Sequence, residues 1–407
     1  MAVSPSAFDP AAETARYLAM LPPEVHAKAT AYTQGGHWLL LWSAVVAAAV
    51  AWLILRSGLL VRLRNAVERR RRRPWLVALA VLPVALLLET LLTLPWNAYA
   101  DWWRETAYNM TSQPFGEWLG EWALSGGIAL VAMSLFYLAV YWLLRRAPRT
   151  WWLWASGVAG AFAVIALLLA PIYIAPLFND YSPAPNGPVR DAVVAMAEAN
   201  GIPSDKIYIY DGSKQSNRYT ANVMGLFGSA RINMSDTMFK AGADLGEIRA
   251  VVGHEMGHYA RHDVLSRLGL VLALILAGFW LLDRLFEPAA RLLGAANVRG
   301  IADPAGLPIF SLLLALIFLV ATPLTNSLSR WAETGADNYS LRIAREPDGI
   351  AKALIQTVEY RAATPSLIEE TLFYSHPSVS RRIRNAMEWK AKHPPAPARA
   401  AAPVSQP

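Results

Sequence analysis

Residues 244–285 read DLGEIRAVVGHEMGHYARHDVLSRLGLVLALILAGFWLLDRL. This stretch joins two kinds of helix. The first carries His254, Glu255 and His258 as H-E-M-G-H. The second is an apolar run long enough to cross a membrane. Positions i and i+4 of a helix share a face, so two imidazoles at this spacing can grip one ion. Glu255, between them, then points at the open coordination position and can take a proton from water. These residue types at this spacing are the metal-and-base half of a zinc peptidase. Asp244 reads as an N-cap with Glu247 reaching back, a capping box. Ile248, Val251, Val252 and Met256 add an apolar stripe at helical spacing. The bland alternative is a chance meeting on a surface helix, but it needs 2 of only 7 His to fall in this frame.

Composition places that helix beside a bilayer. The 407 residues are 55 % hydrophobic and 16 % charged, against about 25 % charged in soluble domains. Six runs are long enough to span, at about 38–60, 75–94, 122–144, 151–174, 264–285 and 307–328. Trp75, Trp96, Trp103, Trp118, Trp151 and Trp154 lie near run ends, as an interfacial aromatic belt would. Any one run could be a buried core helix; six of them argue for a multi-pass integral membrane protein. Residues 1–36 lack a basic region followed by an apolar stretch, so no cleavable leader is expected.

The net charge of +7 is concentrated in loops. Arg69–Arg73 lie between the first two runs, and Arg145, Arg146 and Arg149 follow the third. Both loops fall on one side if all six spans are real. No aromatic interleaving accompanies them, so nucleic acid is not an expected partner. The sequence contains no cysteine, which leaves His, Glu and Asp as the available metal ligands.

The expected fold is predominantly α: a polytopic membrane protein of about six spans, with a membrane-associated zincin-like catalytic domain holding a small β element. Residues 1–36 form a lead-in and 37–176 four spans. Residues 177–263 make the first part of the catalytic domain, 264–328 spans five and six, and 329–393 its second part. A Pro- and Ala-rich tail, 394–407, reads as disordered. Lys206–Tyr210 and Ala230–Met234 are the strand candidates.

Two histidines do not complete a catalytic zinc site; a third protein ligand and a water are expected. After the motif the chain crosses the membrane twice and returns, so the start of the tail is the place to look. There Glu333 and Asp337 share a helix face. Glu333 can ligate, and Asp337 can accept the outer N–H of a ligand histidine. An ordinary solvated helix face explains the same pair, and Glu333 alone is weak evidence.

The ordered set is more specific. Pro176–Asn179, Lys206–Lys214, Ser216-Asn217 with Tyr219, Ala230–Ile232, His254–His258, Glu333 with Asp337, His376-Pro377 and Arg382-Ile383 follow one another collinearly. In this the chain resembles the membrane-embedded zinc peptidases of the Ste24 or CAAX prenyl protease 1 type, in peptidase family M48. The resemblance implies one Zn2+ per chain, held by His254, His258 and Glu333, with Glu255 as general base. It also implies peptide or protein substrates, lipid-modified or membrane-embedded, and contact with membrane lipids. His376 and Arg382 match a pair the family places near the site to steady an oxyanion. Read alone, His376-Pro377 is a turn before the last helix. Residues 216–225 resemble the family's substrate strand, with Asn217 and Asn222 as rival candidates for its Asn.

Two features depart from the eukaryotic members, which have seven spans and a cytosol-facing site. Six spans are visible here. The positive-inside rule puts the arginine loops in the cytoplasm and the motif on the opposite, periplasmic face of a bacterial inner membrane. Two rival readings stand beside the prenyl protease. One is a quality-control membrane metallopeptidase without prenyl substrates. The other, of a different class, is a transporter or channel with a structural metal site, for which Glu89 in the second run is the clearest intramembrane carboxylate.

Overall fold

The computed structural model describes residues 8–394 apart from Arg72, Tyr219, 225–230 and 241–243. The proline-rich tail expected to be disordered lies almost wholly outside the described residues. Six helices are long and apolar enough to cross a membrane: Pro23–Ser57, Pro74–Ala107, Phe115–Arg146, Trp151–Leu177, Asp263–Leu292 and Pro304–Ile343. They correspond one to one with the six apolar runs, and the chain is an integral membrane protein. The first and last extend well beyond any bilayer. The lead-in is therefore mostly helix, with Pro10–Leu18 capped by Asp9 and the first span starting at Pro23.

The spans pack most closely at the arginine-loop end. There Val50, Leu82, Tyr141, Trp151, Leu282 and Phe310 belong to one buried cluster. Trp151 is not an interfacial anchor, as its place at a run end suggests. It is fully buried and donates its indole N–H to Asp283 at 2.6 Å. Toward the other end the helices part, and no residue from 160 to 180 is buried.

Beyond that open end sits the polar half of the chain. β1 (Tyr181–Pro183), β2 (Ile207–Tyr210), β3 (Ala221–Met224) and β4 (Arg231–Ser235) form a sheet in the order β1-β2-β4-β3. β2 and β4 are the strands foreseen from the sequence. β3 is an edge strand, antiparallel to β4 in the register Asn222↔Asn233. The Ser235 N–H bonds the Thr220 carbonyl at 3.0 Å. With that register, the alternation of an antiparallel ladder turns the main-chain groups of Ala221 and Val223 away from β4.

The motif helix, Leu245–Ala260, packs on this sheet through Ile248, Val252 and Met256. Asp244 caps it, accepting the Glu247 N–H at 2.8 Å. The second half of the expected capping box does not form. The Glu247 carboxylate instead accepts from Gln356 at 2.7 Å. The helix ends at His262, whose φ of 55° is left-handed, and the fifth span starts at once.

Candidate active site

Two glycines let the motif helix approach the extension of the sixth span beyond its apolar stretch. A Cβ on Gly257 would lie 3.0 Å from the Ala336 Cα and 3.2 Å from its carbonyl oxygen. One on Gly253 would lie 3.0 Å from the Ser340 hydroxyl, which already donates to the Ala250 carbonyl at 2.6 Å. This close crossing carries Glu333 and Asp337 to the motif.

The His254 Nε2 lies 3.1 Å from Glu333 Oε2, and the His258 Nε2 lies 3.4 Å from Glu333 Oε1. One ligand atom from each of the three residues falls within 4.8 Å of the others. Each outer ring nitrogen meets a carboxylate: His254 Nδ1 meets Asp337 at 2.9 Å, and His258 Nδ1 meets Asp263 at 2.9 Å. A carboxylate accepts, so each Nδ1 carries a proton, and Nε2 is the ring atom left to meet an ion. Both Nε2 atoms converge on the Glu333 carboxylate. The cluster of carboxylates favours positive charge at that point, on a proton or on a bound cation. Burial opposes charge on His254, but hydrogen bonds to Asp337 and Glu333 outweigh it and push the imidazole up to about 10. The donor set therefore fits a divalent metal with nitrogen and oxygen preferences.

The rest of the predicted set converges on the same place. His254, Glu255, Asp337, His376 and Arg382 line one cavity of about 190 Å³, together with Ala221 at the start of β3. Burial pushes the Glu255 carboxyl above its ordinary range. His376 brings Nε2 to 3.4 Å from Glu333. Burial, and after it the Arg361 guanidinium, hold the His376 imidazole well below its usual value. Arg382 grips Asp337 with two bonds, Nε at 2.8 Å and Nη2 at 2.6 Å. The two asparagines part company. Asn222 lies on β3, bonded to Asn233 at 2.8 Å. Asn217 lies outside the strand, its side chain donating to the Asn109 carbonyl at 3.0 Å.

Three residues escape a reading of the sequence. Asp263 completes the His258 contact, Arg267 donates to Glu333 at 3.1 Å, and Arg361 lines the cavity. Asp263 stands in the R-H-D run after the motif, which is the one hint available. Nothing in spacing marks the other two. Glu89, half-buried in the second span, has one enclosed oxygen without a hydrogen bond among the described residues and does not line this cavity.

A largely enclosed metal-competent triad with a buried Glu333, a carboxylate beside it and an edge strand along one wall define a membrane-embedded metallopeptidase. The profile described as "Peptidase family M48" matches residues 183–390, and that described as "CAAX prenyl protease N-terminal, five membrane helices" matches residues 11–180. The chain belongs to peptidase family M48 and is a metalloprotease of the Ste24 or CAAX prenyl protease type, acting on peptide or protein substrates. The transporter reading falls with that membership. Relatives include the "Uncharacterized metalloprotease YhfN" of Bacillus subtilis, 29 % identical over 82 % of this chain and 79 % of that protein. The "CAAX prenyl protease 1" of Saccharomyces cerevisiae is 25 % identical over 73 % of this chain and 69 % of its own length. The crystal structure of S. mikatae Ste24p superposes with a TM-score of 0.73 at 21 % identity, covering 93 % of this chain and 95 % of that one. That likeness establishes the fold.

Proposed function

We propose that the chain is a zinc-dependent endopeptidase in which His254 Nε2, His258 Nε2 and the Glu333 carboxylate hold one Zn2+ per chain. The observation that carries this reading is the pair of ring nitrogens facing Glu333 at 3.1 and 3.4 Å while their outer nitrogens meet carboxylates. When bound, the ion supplies the Lewis acidity that makes water a nucleophile near neutral pH and polarises a carbonyl.

Glu255 takes the proton of the attacking water and passes it to the leaving amine. Its raised proton affinity suits a group that must act first as base and then as acid. His376, held neutral, donates its ring N–H to the oxyanion. Arg382 acts through Asp337, because its fork is already engaged there. An extended substrate pairs with the outward main-chain groups of Ala221 and Val223, adding a strand beyond β3. Asn222 is the better candidate for the substrate strand's Asn, since Asn217 is tied to the loop at Asn109.

The relatives named CAAX prenyl protease point to lipid-modified substrates, and the open, apolar end of the helix bundle suits a lipid or a membrane-embedded segment. The arginine loops lie at the opposite end, so by the positive-inside rule the site opens on the periplasmic face of a bacterial inner membrane. Purified Glu255→Gln protein is expected to keep one zinc per chain and lose cleavage. Cleavage at the wild-type rate would refute the mechanism. A prenylated peptide run against its unprenylated twin and a misfolded membrane protein separates prenyl processing from quality control. A tag at the C-terminus, tested for protease accessibility in sealed vesicles, reads the orientation.

A further inference from the structure

At the end of the bundle away from the active site lies a second cavity, of about 890 Å³. It opens where the second, third and sixth spans leave the apolar zone. Five arginines line it, Arg64, Arg69, Arg73, Arg145 and Arg299, against two carboxylates, Glu68 and Asp303.

Both carboxylates are already engaged. Asp303 pairs with the buried Arg64 and accepts the Arg299 main-chain N–H at 2.9 Å. Glu68 takes both of its oxygens to Arg299 Nη1, at 3.0 Å each. Arg69, Arg73 and Arg145 make no side-chain hydrogen bond or ion pair among the described residues. The second span starts here at Pro74, with Arg73 in the N-cap position and no side-chain cap. The positive end of a helix of 24 residues is thus left open beside three unpaired guanidiniums. The lining also has an apolar part, with Val77 and Pro304 buried at its inner side and Pro74 exposed at its mouth, where Trp75 stands exposed next to it.

Cationic donors, an uncapped helix N-terminus and an apolar rim at the membrane surface together select an anion that carries its own hydrocarbon. We propose that this basin binds the phosphodiester headgroup of an anionic glycerophospholipid. Arg69, Arg73 and Arg145 donate to the phosphate oxygens. The acyl chains leave past Pro74 and the exposed Trp75 into the bilayer. The volume exceeds the need of a bare phosphate and leaves room for the glycerol. A lipid seated there bridges the ends of three spans on the side where an anionic leaflet meets the arginine loops.

The test uses the full-length protein, stripped of lipid in a neutral detergent. Phosphatidylglycerol is titrated in while melting temperature and lipid retention in native mass spectrometry are followed. Phosphatidylcholine and inorganic phosphate serve as the other arms. One variant carries Arg69→Gln, Arg73→Gln and Arg145→Gln. A control of equal charge carries Arg70→Gln, Arg146→Gln and Arg149→Gln in the same loops but outside the basin. The expected result is saturable protection by phosphatidylglycerol, one lipid retained per wild-type chain. Apparent affinity falls at least tenfold in the basin variant and less than threefold in the control. Equal losses in the two variants would reduce the effect to general surface charge and overturn the proposal. Equal protection by phosphatidylcholine, or by inorganic phosphate alone, would overturn it as well. Arg73→Gln alone, a single exposed change, guards against misfolding of the triple variant and is expected to weaken retention in the same direction.

Discussion

Asp263 Oδ2 lies 2.9 Å from His258 Nδ1, although the motif helix has ended between them. The left-handed turn at His262, φ 55°, folds the start of the fifth span back against the last turn of the motif helix. Each motif histidine therefore has its own carboxylate, Asp337 for His254 and Asp263 for His258. Such partners fix the tautomer and raise ligand basicity. Asp263→Asn is expected to lower zinc affinity about 10–100-fold with the protein still folded. Competition with a fluorescent chelator reads it, and an unchanged affinity would remove Asp263 from the site.

Gly257 sets how near the motif helix comes to Glu333. An alanine there would press its methyl on the Ala336 backbone at 3.0 Å, where no side chain can swing aside. Overpacking of this kind costs about 1–3 kcal/mol. Gly257→Ala is expected to lower the melting temperature and to reduce bound metal, because Glu333 lies one turn from the contact. Full zinc content in a well-folded variant would show that the crossing distance is not critical.

The outward N–H of Val223 offers a test of strand addition. Val223→Pro removes that donor without removing a bond to β4, because position 223 faces the free edge. The expected outcome is a KM raised about tenfold, roughly the loss of one hydrogen bond, with zinc content unchanged. A KM at the wild-type value would exclude substrate pairing at that position.

Asp244 carries two loads, the cap on Glu247 and an ion pair with Lys352. The Lys352 hydrogen bond, and then the bond from the Glu247 N–H, hold its carboxyl below the ordinary range. Its stabilising effect is therefore full above the unfolded pKa of about 3.9 and fades as pH falls through the lower folded value. Asp244→Asn keeps a capping oxygen and loses the charge. Its melting temperature is expected to trail wild type slightly near neutral pH, since the pair is half exposed, and to converge with it in acid. Asp244→Ala loses the cap as well and is expected to cost about 1 kcal/mol more than Asp244→Asn near neutral pH.

The six apolar runs, the motif helix, its Asp244 cap and two of the four strands were legible in the sequence, because each depends on local periodicity or on neighbours a few residues apart. Glu333, Asp337, His376 and Arg382 could be named from their order along the chain. Their convergence could not be derived from it, because His254 and Asp337 are 83 residues apart and meet only where Gly253 and Gly257 admit the sixth span's extension. Trp151 looked like a belt residue and proved to be core, since a run end reveals position along the helix but not which way a side chain faces. The Gln356 partner of Glu247 and the Asp263 partner of His258 were likewise settled by packing. Local sequence determined which helices and which chemistry this protein carries. Tertiary structure alone decided which charges face one another, because distance in space between residues far apart in the chain is set by how the helices cross.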